Sequence, residues 1–256
     1  MLRSRVIPCL LLRGEGLVKT VGFKAPKYVG DPINTIKIFN EKEVDEVMLA
    51  DIEASKQGRE PNYRKIEEVA SECFMPLCYG GGIRDISHAD RLFASGVEKI
   101  SLQTGAFGSL DLVEKIATKY GSSSVVVSAD LKKSWMGGYR LYSAAGHRKL
   151  PKRWQAFLKD AVSAGAGEIF LNAVDRDGTM AGMDCAMIRE AAALVSVPLI
   201  ACGGVGSLDD IKAGVDAGAS AVGAGAFFVY QGPHRAVLIS YPKYQQLVAL
   251  LGSDSA

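Results

Sequence analysis

Residues 76–83 read PLCYGGGI, and residues 198–205, at an offset of 122, read PLIACGGV. Each is a short apolar run of the kind that forms a strand buried on both faces, and each ends in adjacent glycines. At the same offset SGVEKI (95–100) aligns with AGASAV (217–222), and Glu46 aligns with Glu168. A chain that repeats itself at this spacing is built from two similar halves.

Outward from these segments, apolar or β-branched runs fall at about 5–12, 46–51, 76–80, 98–102, 124–129, 168–173, 197–202 and 219–224. Helix-like stretches lie between them, at about 32–42, 61–73, 85–95, 109–119, 152–164, 184–195, 207–217 and 234–250. Eight strand–helix units predict an α/β chain: a single (β/α)8 TIM barrel over 1–256, with a twofold internal repeat of half-barrels. An open doubly wound sheet is the alternative. The count of eight, with no stretch resembling a second domain, favours the closed form.

The composition excludes several classes. With 48% hydrophobic and 23% charged residues the chain is neither disordered nor collagen-like. Thirty basic against 28 acidic residues give +2, too little to argue for nucleic acid or a membrane surface. Five cysteines (9, 73, 78, 185 and 202) form no CxxC pair, which suits a reducing cytoplasm. The apolar stretch 6–12 is followed by Arg13, Gly14 and Glu15 without a small-residue cleavage site, so it reads as a buried strand rather than a secretion signal.

Active sites of such barrels lie at the C-terminal ends of the strands. There the third strand runs into Gly80-Gly81-Gly82 and the seventh into Gly203-Gly204, while the fourth and eighth end in Gln103-Thr104 and Gly225-Ala226. Glycines admit an anion close to the backbone, so two repeat-related half-sites suit a bisphosphate. Taken singly, each glycine pair reads equally well as a tight turn. Carboxylates at strand ends are Asp51, Asp130, Asp175 and Asp177. No His/Cys/Asp cluster has metal-ligand spacing and no nucleophile elbow occurs, so no cofactor or metal is expected. Carboxylate acid–base chemistry is the remaining mechanism. Each Asp also reads as a helix or turn cap.

Together RVIPCL (5–10), GLVK (16–19), GDP (30–32), DIEAS (51–55), GGGI (80–83), Asp130, AGAGEI (164–169), DRDGT (175–179) and CGG (202–204) carry a resemblance. From end to end the sequence resembles the cyclase (synthase) subunit of imidazole glycerol phosphate synthase, the HisF family. The resemblance implies a barrel that takes ammonia from a HisH-like glutaminase subunit in a heterodimer. The ammonia would attack a phosphorylated small molecule, a bisphosphate ribotide, giving imidazole glycerol phosphate and an aminoimidazole carboxamide ribotide. It makes Asp130 one of two catalytic aspartates. It places Gly82 and Thr104 at one phosphate, and Asp177, Gly178, Gly204 and Gly225 at the other. Lys19 falls in a mobile lid at about 13–30. Arg5, Glu46, Lys99 and Glu168 match a ring of charges gating ammonia beneath the barrel.

One departure stands out. The second catalytic aspartate of the family ends the first strand, and that position here is Leu11 in Cys9-Leu10-Leu11. The repeat exposes the same gap, since PCLLLR in the first unit lies opposite VSADLK in the fifth, setting Leu11 against Asp130. Asn172 and Ala226 also replace hydroxyl residues usual near the second phosphate. The expectation is a paralogue that keeps the glutaminase and the ammonia route but serves another acceptor. HisF-like paralogues of this kind are associated with sugar amidation in surface-glycan (O-antigen) biosynthesis, where a further amidotransferase-like enzyme completes the reaction. A genuine histidine-pathway cyclase is the alternative. A scaffold that only activates the glutaminase is a third.

Overall fold

The computed structural model describes residues 4–252. Eight parallel strands close on themselves: β1 (Arg5–Arg13), β2 (Val47–Asp51), β3 (Leu77–Gly80), β4 (Lys99–Leu102), β5 (Val125–Lys133), β6 (Glu168–Ala173), β7 (Leu199–Cys202) and β8 (Ala221–Ala224). β8 returns to β1 with Arg5 beside Ala221, and β5 pairs β6 with Asn172 beside Asp130, so no edge is left open. Closure excludes the doubly wound sheet. Helices α1 (Pro32–Glu41), α2 (Tyr63–Ala70), α3 (Ile86–Ala94), α4 (Asp111–Tyr120), α5 (Trp154–Ser163), α6 (Cys185–Ala192), α7 (Leu208–Asp216) and α8 (Tyr244–Leu251) connect or follow the strands.

Successive side chains of a strand point to opposite faces. Val6, Leu10 and Leu12 of β1 therefore pack outward into the main core with Ile36 and Phe39 of α1. Ile7 instead joins Met48, Cys78, Val126, Phe170, Ile200, Cys202 and Ala221 in a separate apolar collar inside the barrel, with Cys9 against it. The repeat survives in detail. Asp85 caps α3 by accepting from the Ser87 and His88 amides, and Ser207, at the matching place, caps α7 by accepting from Asp210. Short helical turns at Thr104–Gly108 and Ala226–Val229 follow β4 and β8 at that same interval.

Three segments differ from the sequence-based expectation. The helix expected over 234–250 begins only at Tyr244, and a small hairpin of Tyr230–Gln231 with Ala236–Val237 precedes it. Pro242, which would fall inside that helix, explains this, since proline lacks the amide a helix interior needs. β5 runs on to Lys133 and pairs with a strand at Tyr139–Ser143, although 124–129 was the strand expected. The segment at about 13–30, expected as a mobile lid loop, is a β-hairpin with two breaks in its register. Gly16–Val21 pairs with the end of β1, Leu11 beside Val18, and Lys24–Gly30 pairs with Gly16–Val21. Among the described residues, no helix is long and apolar enough to cross a membrane.

Candidate active site

At the N-terminal end of the barrel, four charged side chains meet. Arg5 donates from Nη1 to Glu46 and from Nη2 to Glu168 Oε1 at 2.6 Å. Lys99 Nζ lies 2.9 Å from Glu46 Oε2 and 3.3 Å from Glu168 Oε2, so two cations and two anions form a closed ring. Burial works against the Arg5 charge, but Glu168 and Glu46 outweigh it and hold its pKa above the ordinary value. The apolar collar sits above the ring. At the level of the collar, in register with Val126 and Phe170, the hydroxyls of Ser101 and Ser128 pair at 2.6 Å.

A cavity of about 460 Å³ fills the C-terminal mouth. Its floor reaches Cys9, Met48, Phe170 and Cys202, so it shares side chains with the collar. One wall carries Gly81, Gly82, Thr104 and Gly105. The Gly82 amide donates to Ser55 Oγ at 3.1 Å, and Gly82 O lies 3.2 Å from His88 Nδ1, which fixes the turn after β3.

Asp130 points into the cavity from β5 and is buried. Gln103 Nε2 donates to its Oδ2 at 2.5 Å and Asn172 Nδ2 to its Oδ1 at 3.3 Å. Burial pushes the carboxyl up to about 7, despite the opposing effect of those two hydrogen bonds and with some help from the Asp177 charge. That places an acid–base group near neutral pH, where proton transfer in either direction is efficient. Leu11 lines the same cavity from β1, offering only methyl groups.

The raised pKa has a stability consequence with a definite sign. Between about pH 4 and 7 the folded chain keeps a proton on Asp130 that the unfolded chain has released, so the contribution of this group to stability falls as pH rises through that window. Asp130→Asn removes the penalty. The variant's advantage over wild type in thermal unfolding should grow from pH 5 to pH 8, by on the order of 2–4 kcal/mol. Parallel stability curves across that range would contradict a buried, proton-holding Asp130.

The hairpin after β1 closes the opposite side. Lys19 Nζ lies 2.8 Å from Asp177 Oδ1, and Thr20 Oγ1 donates to Asp177 Oδ2 at 3.0 Å. The Gly22 amide donates to Asp177 O at 2.9 Å. Lys19 is 5% exposed, so this ion pair is buried beneath the hairpin. Gly178 (φ 69°) packs directly under it: a Cβ there would lie 2.1 Å from Thr20 O. Gly204 (φ 101°) is likewise covered, a Cβ being 2.0 Å from Gly182 O. Of the four residues expected at the second phosphate, Asp177 and Gly225 line the cavity, whereas Gly178 and Gly204 do not.

Other strand-end carboxylates have structural partners. Asp51 Oδ1 accepts the Glu53 and Ala54 amides, each at 2.9 Å, and Oδ2 lies 3.2 Å from Arg59 Nη2, so Asp51 caps its loop although it also touches the cavity. Asp175 accepts the Lys133 amide at 2.7 Å, outside the cavity. Sequence reading passed over the hold of Gln103 on Asp130, whose one signal was its place at the strand end before Thr104. It also passed over Ala144, Ala145 and His147, which the hairpin after β5 brings to the cavity rim.

A family profile described as histidine biosynthesis protein matches residues 5–234. A Pseudomonas aeruginosa protein provisionally named imidazole glycerol phosphate synthase subunit hisF2 is 55% identical over 254 residues, covering 96% of this chain and 99% of that protein. A Vibrio vulnificus protein with the provisional name of subunit hisF3 is 48% identical, covering 94% of each. The imidazole glycerol phosphate synthase subunit HisF of Thermobifida fusca is 37% identical over 232 residues, with 89% and 91% covered. With a closed eightfold barrel, Asp130 in its mouth and a charge ring at its base, the chain belongs to the histidine biosynthesis protein family as a HisF-like barrel.

Proposed function

We propose that this chain is the barrel subunit of a glutamine amidotransferase complex, receiving ammonia at the Arg5–Glu46–Lys99–Glu168 ring and using it to form a C–N bond in the mouth cavity. The acceptor is a phosphorylated or sugar substrate outside histidine biosynthesis, in the amidation of surface-glycan sugars. The observation that carries this reading is Leu11 facing the same cavity as Asp130, above a complete charge ring. A glutaminase docks beneath the ring, and ammonia passes the collar and the Ser101–Ser128 pair to reach Asp130. Gly82 and Thr104 hold a phosphate on one side. Lys19, Asp177 and Gly225 line the other, with Gly178 and Gly204 packed behind them, and the hairpin that bears Lys19 serves as the lid.

A second reading, a working imidazole glycerol phosphate cyclase, is favoured by the intact Asp130 and by the names its relatives carry. The test is direct. With ammonium and the histidine-pathway bisphosphate, the purified chain should turn over at least ~10²-fold more slowly than the Thermobifida fusca HisF assayed beside it, the usual loss for one missing acid–base group. Equal rates establish the second reading.

A further inference from the structure

The two glycine turns are held in different ways, and the repeat makes the difference plain. At the offset of 122, Gly82, Arg84 and His88 align with Gly204, Gly206 and Asp210. The turn after β7 has a separate, fixed partner for each backbone group. Gly204 O accepts the Gly182 amide at 2.9 Å, and the Gly206 amide donates to Asp210 Oδ2 at 2.9 Å. After β3 a single atom faces both groups. His88 Nδ1 lies 3.2 Å from Gly82 O and 3.3 Å from the Arg84 amide nitrogen, and among the described residues neither group has another partner.

A ring nitrogen with a proton donates and one without accepts, so His88 serves these two groups one at a time. Neutral, with its proton on Nε2, it takes the Arg84 amide and turns a lone pair toward the Gly82 carbonyl. Charged, it donates to Gly82 O and releases Arg84. The ring is buried in the first turn of α3, and Nε2 faces Asp85 Oδ2 at 3.5 Å and Glu60 Oε1 at 3.7 Å, which compensate a charge there. The cations beside this group are Arg84 on the turn and Arg91, which pairs with Glu60 at 3.1 Å over the Tyr63 ring. Gly82 and Ile83 line the cavity, and His88 lies behind them. In a trans peptide the Ile83 N–H points opposite to the Gly82 carbonyl, hence away from His88, and it makes no hydrogen bond among the described residues. Donation from His88 to the carbonyl polarises that peptide and strengthens its N–H as a donor to an anion.

We propose that His88 is a positioning residue for an anion at the β3 turn. Its protonation transfers the Nδ1 contact from Arg84 to Gly82 and tightens anion binding, whereas the β7 turn, held by Gly182 and Asp210, does not respond. This rests on the reading of the Gly82 wall as a phosphate site, and it adds control of that site by pH.

Inorganic sulfate tests it, because its charge stays constant where that of a phosphate ester changes. Its binding to the isotope-labelled whole chain is followed by nuclear magnetic resonance at the Ile83 amide, at about pH 6 and about pH 8, the range in which a histidine changes charge. The ratio of the two affinities should be about five- to tenfold larger in wild type than in His88→Gln, the lower end of a typical coupling between sites. The variant keeps the other ionisable groups of the cavity, Asp130 and His147 among them, so whatever pH dependence they contribute cancels in the comparison. By reciprocity, sulfate should raise the midpoint at which the His88 ring is protonated. That readout needs only the natural residue at 88, and substituting the exposed His147 and His234 identifies its resonance if His88→Gln does not fold. Equal ratios in the two proteins, or a His88 midpoint indifferent to sulfate, overturn this inference alone. An Ile83 amide unmoved by sulfate overturns the anion site at this wall as well.

Discussion

Leu11→Asp should raise the turnover of the histidine-pathway bisphosphate by ~10²–10⁴, the range a positioned acid or base usually supplies. At about 1.4 kcal/mol per decade this lowers the barrier by roughly 3–5 kcal/mol. The gain belongs in kcat, because the introduced carboxylate would act where Asp130 does, on the proton in flight. Some stability will be lost, because a half-buried carboxylate takes the place of methyl groups in a cavity that already carries Asp130. Steady-state kinetics and thermal unfolding of the variant check all of this. If Leu11→Asp leaves kcat untouched while the fold is intact, the missing aspartate is not what separates this chain from a cyclase.

The second large effect lies at the other end of the barrel. Glu46 has a side chain only 3% exposed and pairs with both Arg5 and Lys99. Glu46→Leu leaves two cations to share Glu168. Removing one partner from a buried ion pair typically costs about 3–5 kcal/mol, because the remaining charge loses its compensation. For a chain of this size that is roughly 6–20 °C in the unfolding midpoint. Replacing Lys99 by Met in the same chain restores charge balance and should recover part of the loss. The functional readout separates gate from plug. If the ring passes ammonia from a docked HisH-type glutaminase, Glu46→Leu/Lys99→Met should lose glutamine-dependent product formation while keeping ammonium-dependent formation. Equal loss of both would make the ring a structural plug only.

Much of this was visible in the sequence, for reasons that are themselves physical. Strands buried on both faces read as continuous apolar runs, and a duplicated half-barrel shows each run twice, so PLCYGGGI and PLIACGGV located β3, β7 and their neighbours. The charge ring could be placed because Arg5, Lys99 and Glu168 begin strands and Glu46 directly precedes one. What stayed hidden depends on contacts between distant segments. Nothing local in LVKT announces a strand that pairs back on β1 and sets Thr20 O against Gly178. Gly204 reads as an anion cradle until Gly182 is found lying over it. Asn172 was noticed as a lost hydroxyl, but its hydrogen bond to Asp130 depends on the pairing of β5 with β6.

The hairpin over the mouth has a kinetic implication. Asp177 grips Lys19, Thr20 and Gly22 together, so uncovering the cavity requires all three contacts to break at once and brings a buried ion pair into water. If this hairpin is the lid proposed above, its pairing to β1 predicts that it swings as a stiff flap rather than fraying strand by strand. Admission of a ligand and surrender of that carboxylate would then be a single event, and the pace of the flap would set the fastest rate at which any acceptor reaches Asp130.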